Sequence, residues 1–89
     1  MPARYKLSLY VTPDSSGKAL AWLYKALSEL RYNDYELAMI DVLQEPEKAK
    51  QANIVGTPSL VYHAPGGDVL IQSVSDTDAV RKALGIENA

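Results

Sequence analysis

No cysteine occurs anywhere in this chain. That absence excludes disulfides, thiolate metal ligands and thiol redox catalysis. It does not fix a compartment, although nothing in the sequence demands an oxidising one. Phenylalanine is absent too, so aromatic bulk rests on six tyrosines and one tryptophan. No segment approaches the roughly 18 consecutive apolar residues of a membrane span. The start, Met1-Pro2-Ala3-Arg4-Tyr5-Lys6, lacks the apolar run of a signal peptide. A cytoplasmic location without a membrane partner is the expectation. Neither sign of charge dominates: residues 1–45 carry five basic and six acidic groups, residues 46–89 four and five. With no basic patch, nucleic acid is not an expected partner. The sequence has no GxGxxG, P-loop, zinc-ligand or EF-hand pattern, so no cofactor or metal is expected.

What is present is enough for one small domain, residues 1–89. Nearly half of the 89 residues are hydrophobic, and a chain of this size buries somewhat over 60% of its unfolded surface. Lys6 to Val11 alternates, with Leu7, Leu9 and Val11 on one face and Ser8 and Tyr10 on the other, which reads as a strand. Thr12-Pro13-Asp14-Ser15-Ser16-Gly17 is a turn cluster. From about Ser16 to Arg31, Leu20, Leu23, Leu27 and Leu30 recur at helical spacing, with Trp22 expected in the core and Tyr24 at its rim. Tyr35 to Val42 is a second strand whose nearly continuous apolar centre predicts burial on both faces. Leu43 to Asn53 reads as a short helix, with Pro46 suited to its first position. Ser59 to His63 and Val69 to Val74 form a hairpin around Ala64-Pro65-Gly66-Gly67-Asp68. Ser75-Asp76-Thr77-Asp78 resembles a capping box, and Gly85 closes the helix it opens. The order is β-α-β-α-β-β-α, an α/β domain with a four-stranded mixed sheet.

Few positions invite chemistry. Ser15 lies where a strand turns into a helix, the usual crevice of an open α/β sheet, but a serine there is more simply an N-cap. The single histidine, His63, reads as a solvent-facing hairpin residue, so no base is fixed near Ser15. Asp41 is expected to cap the turn that follows it. Glu45, Glu47, Lys48 and Lys50 read most simply as a solvated helix face.

Ile54-Val55-Gly56-Thr57-Pro58-Ser59-Leu60-Val61 is the most distinctive stretch. Proline lacks the N–H for a sheet ladder, so Pro58 belongs at a strand's first residues, and Thr57-Pro58 is a plausible cis bond. The loop resembles that of thioredoxin-like domains, which here would lack their cysteines. Leu9-Tyr10-Val11-Thr12, Ser16, Ala19-Leu20, Tyr35 to Leu43, Gln44-Glu45-Pro46-Glu47-Lys48-Ala49 and this loop together resemble the KaiB family and the KaiB-like sensory domain of the kinase SasA. The resemblance covers roughly residues 5–75. It implies a thioredoxin-like fold and a non-enzymatic binding module that docks on a KaiC-like ATPase in a circadian clock or related signalling system. The family's contact surface, its second strand and the short helix after it, then points to Glu45, Lys48, Lys50, Gln51 and Asn53, with Thr57 and Pro58 as a structural loop.

The family is also known for switching fold. Its Ile-Gly-Asp-Leu-Ser run has Gln72 and Ser73 here in place of Gly and Asp, and the local signals over 59–85 agree with one fold, so this chain is expected to stay thioredoxin-like. Two other readings stand beside it. One is a cysteine-free thioredoxin-like adaptor with another protein partner. The other resembles the glutathione-binding half of glutathione transferases, through Ser15, Thr57-Pro58 and Gln72-Ser73. The oligomeric state stays open.

Overall fold

The structure, a computed structural model, describes residues 5–28 and 34–85. The elements are β1 (Tyr5–Val11), α1 (Ser16–Ala26), β2 (Tyr35–Asp41), α2 (Pro46–Gln51), β3 (Ser59–Ala64), β4 (Gly67–Ile71) and α3 (Thr77–Leu84). Their order is the expected one. The end of the predicted first helix, Leu30 and Arg31, lies outside the described residues.

The sheet runs β2-β1-β3-β4. β1 pairs parallel with β2, as a strand–helix–strand unit requires, and antiparallel with β3, which forms a hairpin with β4. The period of two along β1 divides the molecule. Tyr5, Leu7, Leu9 and Val11 face α1 and α3 and join Ala19, Leu23, Leu27, Leu60, Val74, Val80 and Leu84 in the main core. Leu9, Leu23, Leu60 and Val80 have no exposed surface, and burying each such side chain contributes about 1.5–3 kcal/mol. Trp22 is partly buried and packs against this core rather than within it, and Tyr24 is exposed. Tyr5 and Tyr62 tilt against each other at 50°, with centroids 5.7 Å apart.

The opposite face carries a second, smaller cluster of Tyr10, Ile40 and Val61. Val42, Ala49, Ala52 and Ile54, from α2 and its flanks, cover it. Among the described residues no helix covers the rest of that face, from Lys6 and Glu36 to His63 and Asp68.

One expectation is corrected here. β2 is not buried on both faces: Glu36, Ala38 and Met39 are exposed, and Ile40 is its only buried residue. Its apolar run is that of an edge strand with a helix over one end, because β3 returns on the far side of β1. Boundaries shift for local reasons. Leu43 to Glu45 is a turn rather than helix, because the Asp41 carbonyl accepts the Gln44 and Glu45 N–H groups and Pro46, without an N–H, starts α2. The last hairpin is tighter than predicted. Ala64 pairs with Gly67, whose φ of 135° only glycine adopts readily, and β4 ends at Ile71. Val74 then leaves the sheet and enters the core. Asp76, not Ser75, caps α3, its carboxylate accepting the Ala79 N–H at 3.1 Å. Gly85 ends α3 in the left-handed conformation at φ 76°.

Candidate functional site

The residues singled out in sequence gather around α2. Upstream, Asp41 caps the turn as expected, its Oδ1 accepting the Leu43 N–H at 2.9 Å. Downstream, the helix ends in a Schellman motif: the Asn53 N–H donates to the Lys50 carbonyl at 3.1 Å and the Ile54 N–H to the Ala49 carbonyl at 2.9 Å. Asn53 holds the left-handed position at φ 59°. Its first role is therefore backbone geometry, with Ala49 and Ile54 making the accompanying apolar contact against the second cluster.

Lys48, Lys50 and Gln51 are exposed. Lys48 Nζ lies 2.9 Å from Glu45 Oε1. Glu45 holds the Lys48 pKa above the ordinary lysine value, first through that hydrogen bond and then through its charge. A raised folded-state value means the pair is intact at neutral pH and is lost only as pH climbs through the lysine range. Both groups are solvated, so the pair orients the side chains more than it stabilises the fold.

Two apolar residues that sequence reasoning passed over flank this polar set. Leu43 is 70% exposed and Val55 84% exposed. They sit in the turns before and after α2, where apolar periodicity has no meaning and therefore gives no signal. Beside them an open groove of about 230 Å³ is lined by Val42, Ala49, Ile54, Val55, Gly56 and Thr57. That is below the usual size of a drug-sized ligand pocket, about 300–1,000 Å³. It suits one protruding side chain.

The Thr57–Pro58 peptide is cis, as the sequence predicts. Pro58 stands immediately before β3 and leaves no ladder N–H missing, while Ser59 Oγ donates to the Gly56 carbonyl. Thr57, Pro58, Ser59 and Gln72 line a second groove. This unites part of the glutathione-type set, but neither Ser15 nor Ser73 lines it. Ser15 does occupy the N-cap position of α1, with a difference. Its hydroxyl makes no capping bond to the helix; it turns back on Thr12, accepting the Thr12 N–H at 3.2 Å and lying 3.0 Å from Thr12 Oγ1.

His63 is exposed on the hairpin, as the sequence predicts, and both ring nitrogens are engaged as well: Nε2 lies 2.8 Å from Ser8 Oγ and Nδ1 lies 3.0 Å from Asp68 Oδ1. The cross-strand register His63–Asp68 places the second contact. The connectivity is that of a hydrolytic triad. Ser8, however, lies in the middle of a paired strand, whose amides run in the sheet plane to β2 and β3. Among the described residues, the backbone around Ser8 is therefore spent on the ladders and offers no pair of donors for an oxyanion. Among the described residues, no group of His, Asp and Glu side chains is arranged to hold a metal ion, and no helix is long and apolar enough to cross a membrane.

A family model, the KaiB domain, matches residues 8–86. The chain belongs to the KaiB family. Among its KaiB relatives is the circadian clock protein KaiB3 of Synechocystis sp., 34% identical over 86 residues, a match covering 93% of this chain and 84% of that protein. The fold agrees with the thioredoxin-like state. The N-terminal domain of Synechococcus elongatus SasA superposes with a TM-score of 0.74 at 20% identity, covering all of this KaiB-family chain and 90% of that domain. Mitochondrial thioredoxin 3 of Saccharomyces cerevisiae follows at 0.66 and 17% identity, covering 93% of this chain and 78% of its own. A mutant thioredoxin of Halobacterium salinarum gives 0.68 at 22% identity, with 98% and 79% covered.

Proposed function

We propose that this KaiB-family chain is a single-domain, non-enzymatic docking module of the cytoplasm that binds a KaiC-like ATPase through α2 and its flanking turns. One observation carries the reading: Leu43 and Val55 stand exposed on either side of a helix whose outer face is polar and charged. Apolar anchors inside a polar rim are the arrangement of a protein-recognition patch. Lys48 and Lys50 supply positive charge beside the anchors, and Glu45 orients Lys48. Asn53 acts through the backbone, and Thr57-Pro58 shapes the adjoining loop.

The test is binding to the KaiC-like ATPase of the same organism, followed in real time. Leu43→Asp and Val55→Asp are expected to raise Kd about tenfold or more each, as truncating an anchor does. Charge reversal at Lys48 and Lys50 is expected to act mostly on the association rate. Neither substitution touches the core, so unfolding free energy should stay within about 0.5 kcal/mol of the parent. Unchanged binding kinetics in all these variants would place the interface elsewhere.

A further inference from the structure

Among the described residues β2 is an edge of the sheet, and the charges it carries are those of Glu36 and Asp41. Its seven residues hold no lysine, proline or bulge, and its pairing with β1 runs unbroken from Tyr5–Tyr35 to Val11–Asp41. Two bonds at the ends fix which backbone groups point outward. The Tyr5 N–H donates to the Asp34 carbonyl at 2.9 Å, and the Val42 N–H donates to the Val11 carbonyl at 3.0 Å. In a parallel ladder these bonds turn both backbone groups of Glu36, Ala38 and Ile40 toward β1. Both groups of Tyr35, Leu37, Met39 and Asp41 then face away from the sheet. The Asp41 carbonyl is taken by its own turn. The other outward groups form a row of donors and acceptors along an open edge, next to a Met39 side chain that is 43% exposed.

We propose that this edge pairs with the same edge of a second copy, antiparallel about a two-fold axis at Ala38, to give one sheet continuous across both copies. The residue pattern selects this register. Centred on Ala38, Leu37 lies opposite Met39 of the second copy, Glu36 opposite Ile40, and Tyr35 opposite Asp41. Apolar side chains meet, and each carboxylate faces a neutral residue. A centre on Glu36 would set two carboxylates against each other. Only the Ala38 centre uses the whole strand, since any other runs one end off β2. Each Leu37–Met39 pair exchanges both of its ladder bonds, and the Asp41 N–H meets the Tyr35 carbonyl of the second copy. The contact is isologous and closes at two copies. The ladder uses backbone groups of β2 alone, whereas the docking reading rests on side chains of α2 and its flanking turns.

The absence of cysteine makes Ala38→Cys the sole thiol of its variant, at an exposed position. In the proposed register the two copies of residue 38 form a non-hydrogen-bonded pair, with Cα atoms about 4.5 Å apart, within disulfide reach. Mild oxidation of the full chain should give a covalent dimer at least about tenfold faster than for Glu36→Cys, whose counterpart is Ile40, because the bridge tolerates little displacement. Ala38→Lys opposes two ammonium groups and should weaken the dimer about tenfold or more in sedimentation equilibrium, with an unchanged far-ultraviolet spectrum. A parent chain that sediments as a monomer up to about 1 mM, or equal cross-linking at positions 36 and 38, would overturn the proposal.

Discussion

Asn53 offers a test that separates backbone geometry from recognition. Its φ of 59° is a conformation that costs an ordinary L residue about 1–2 kcal/mol. Asparagine adopts it several-fold more readily than most, and glycine adopts it freely. Asn53→Ala should therefore cost about 1 kcal/mol. Asn53→Gly should come out within a few tenths of the parent, relief of the side-chain clash being offset by a more flexible unfolded chain. With a urea dependence of about 1 kcal/mol/M, the alanine variant should lose about 1 M in midpoint, and roughly 4–8 °C in Tm. Because α2 is short and its terminus closes on three N–H bonds, those of Ala52, Asn53 and Ile54, the cost can instead fall on local opening. In that case the Ile54 amide should exchange with solvent about fivefold faster, the factor equivalent to 1 kcal/mol. Urea titration and amide exchange together capture both outcomes. An alanine variant that moves neither would refute the assignment of Asn53 to the helix terminus. The glycine variant then addresses recognition: binding equal to the parent means that the Asn53 side chain is not part of the docking surface.

Leu60→Ala removes a side chain with no exposed surface and should cost about 2–5 kcal/mol in chemical unfolding; a loss below 1 kcal/mol would mean that β3 is not central to the core. Asp76→Ala deletes the only side-chain cap described for α3 and should cost about 1 kcal/mol, whereas Ser75→Ala should be nearly silent. Reversal of that order would restore the capping box read from sequence. The chain should show a single set of backbone resonances with strand shifts over residues 59–63, and a second, slowly exchanging set with helical shifts there would establish fold switching.

Much of the fold was legible because the signals were local. The alternation of Leu7, Leu9 and Val11, the stripe from Ala19 to Leu27, and Pro58 before Ser59 each identify an element without reference to its neighbours. What was not legible depended on neighbours. Whether Tyr35–Asp41 is central or at an edge follows from which side of β1 receives β3, and no residue within the strand encodes that. The same holds for His63, whose partners Ser8 and Asp68 come from two other strands. The candidate surface was legible only in its polar half, because charged residues on a short helix are visible as such. Leu43 and Val55 lie in turns, where an apolar residue looks the same whether it folds inward or stands out. The helix that α2 forms is shorter than the pattern predicts because backbone bonds to Asp41, invisible in composition, claim the first residues for a turn.

The sheet order also sets a timetable for synthesis. β1 is made first, yet it lies between two strands that come later, and the Ser8–His63 contact spans 55 residues. At about 5–20 residues per second, the interval between β1 and its β3 partner is roughly 3–11 s. Throughout that interval Leu7, Leu9 and Val11 form an apolar strand whose β3 side is open, with α1 and then β2 the earliest available cover. A nascent chain of this design is most exposed to chaperones, and to other nascent chains, at its beginning rather than its end.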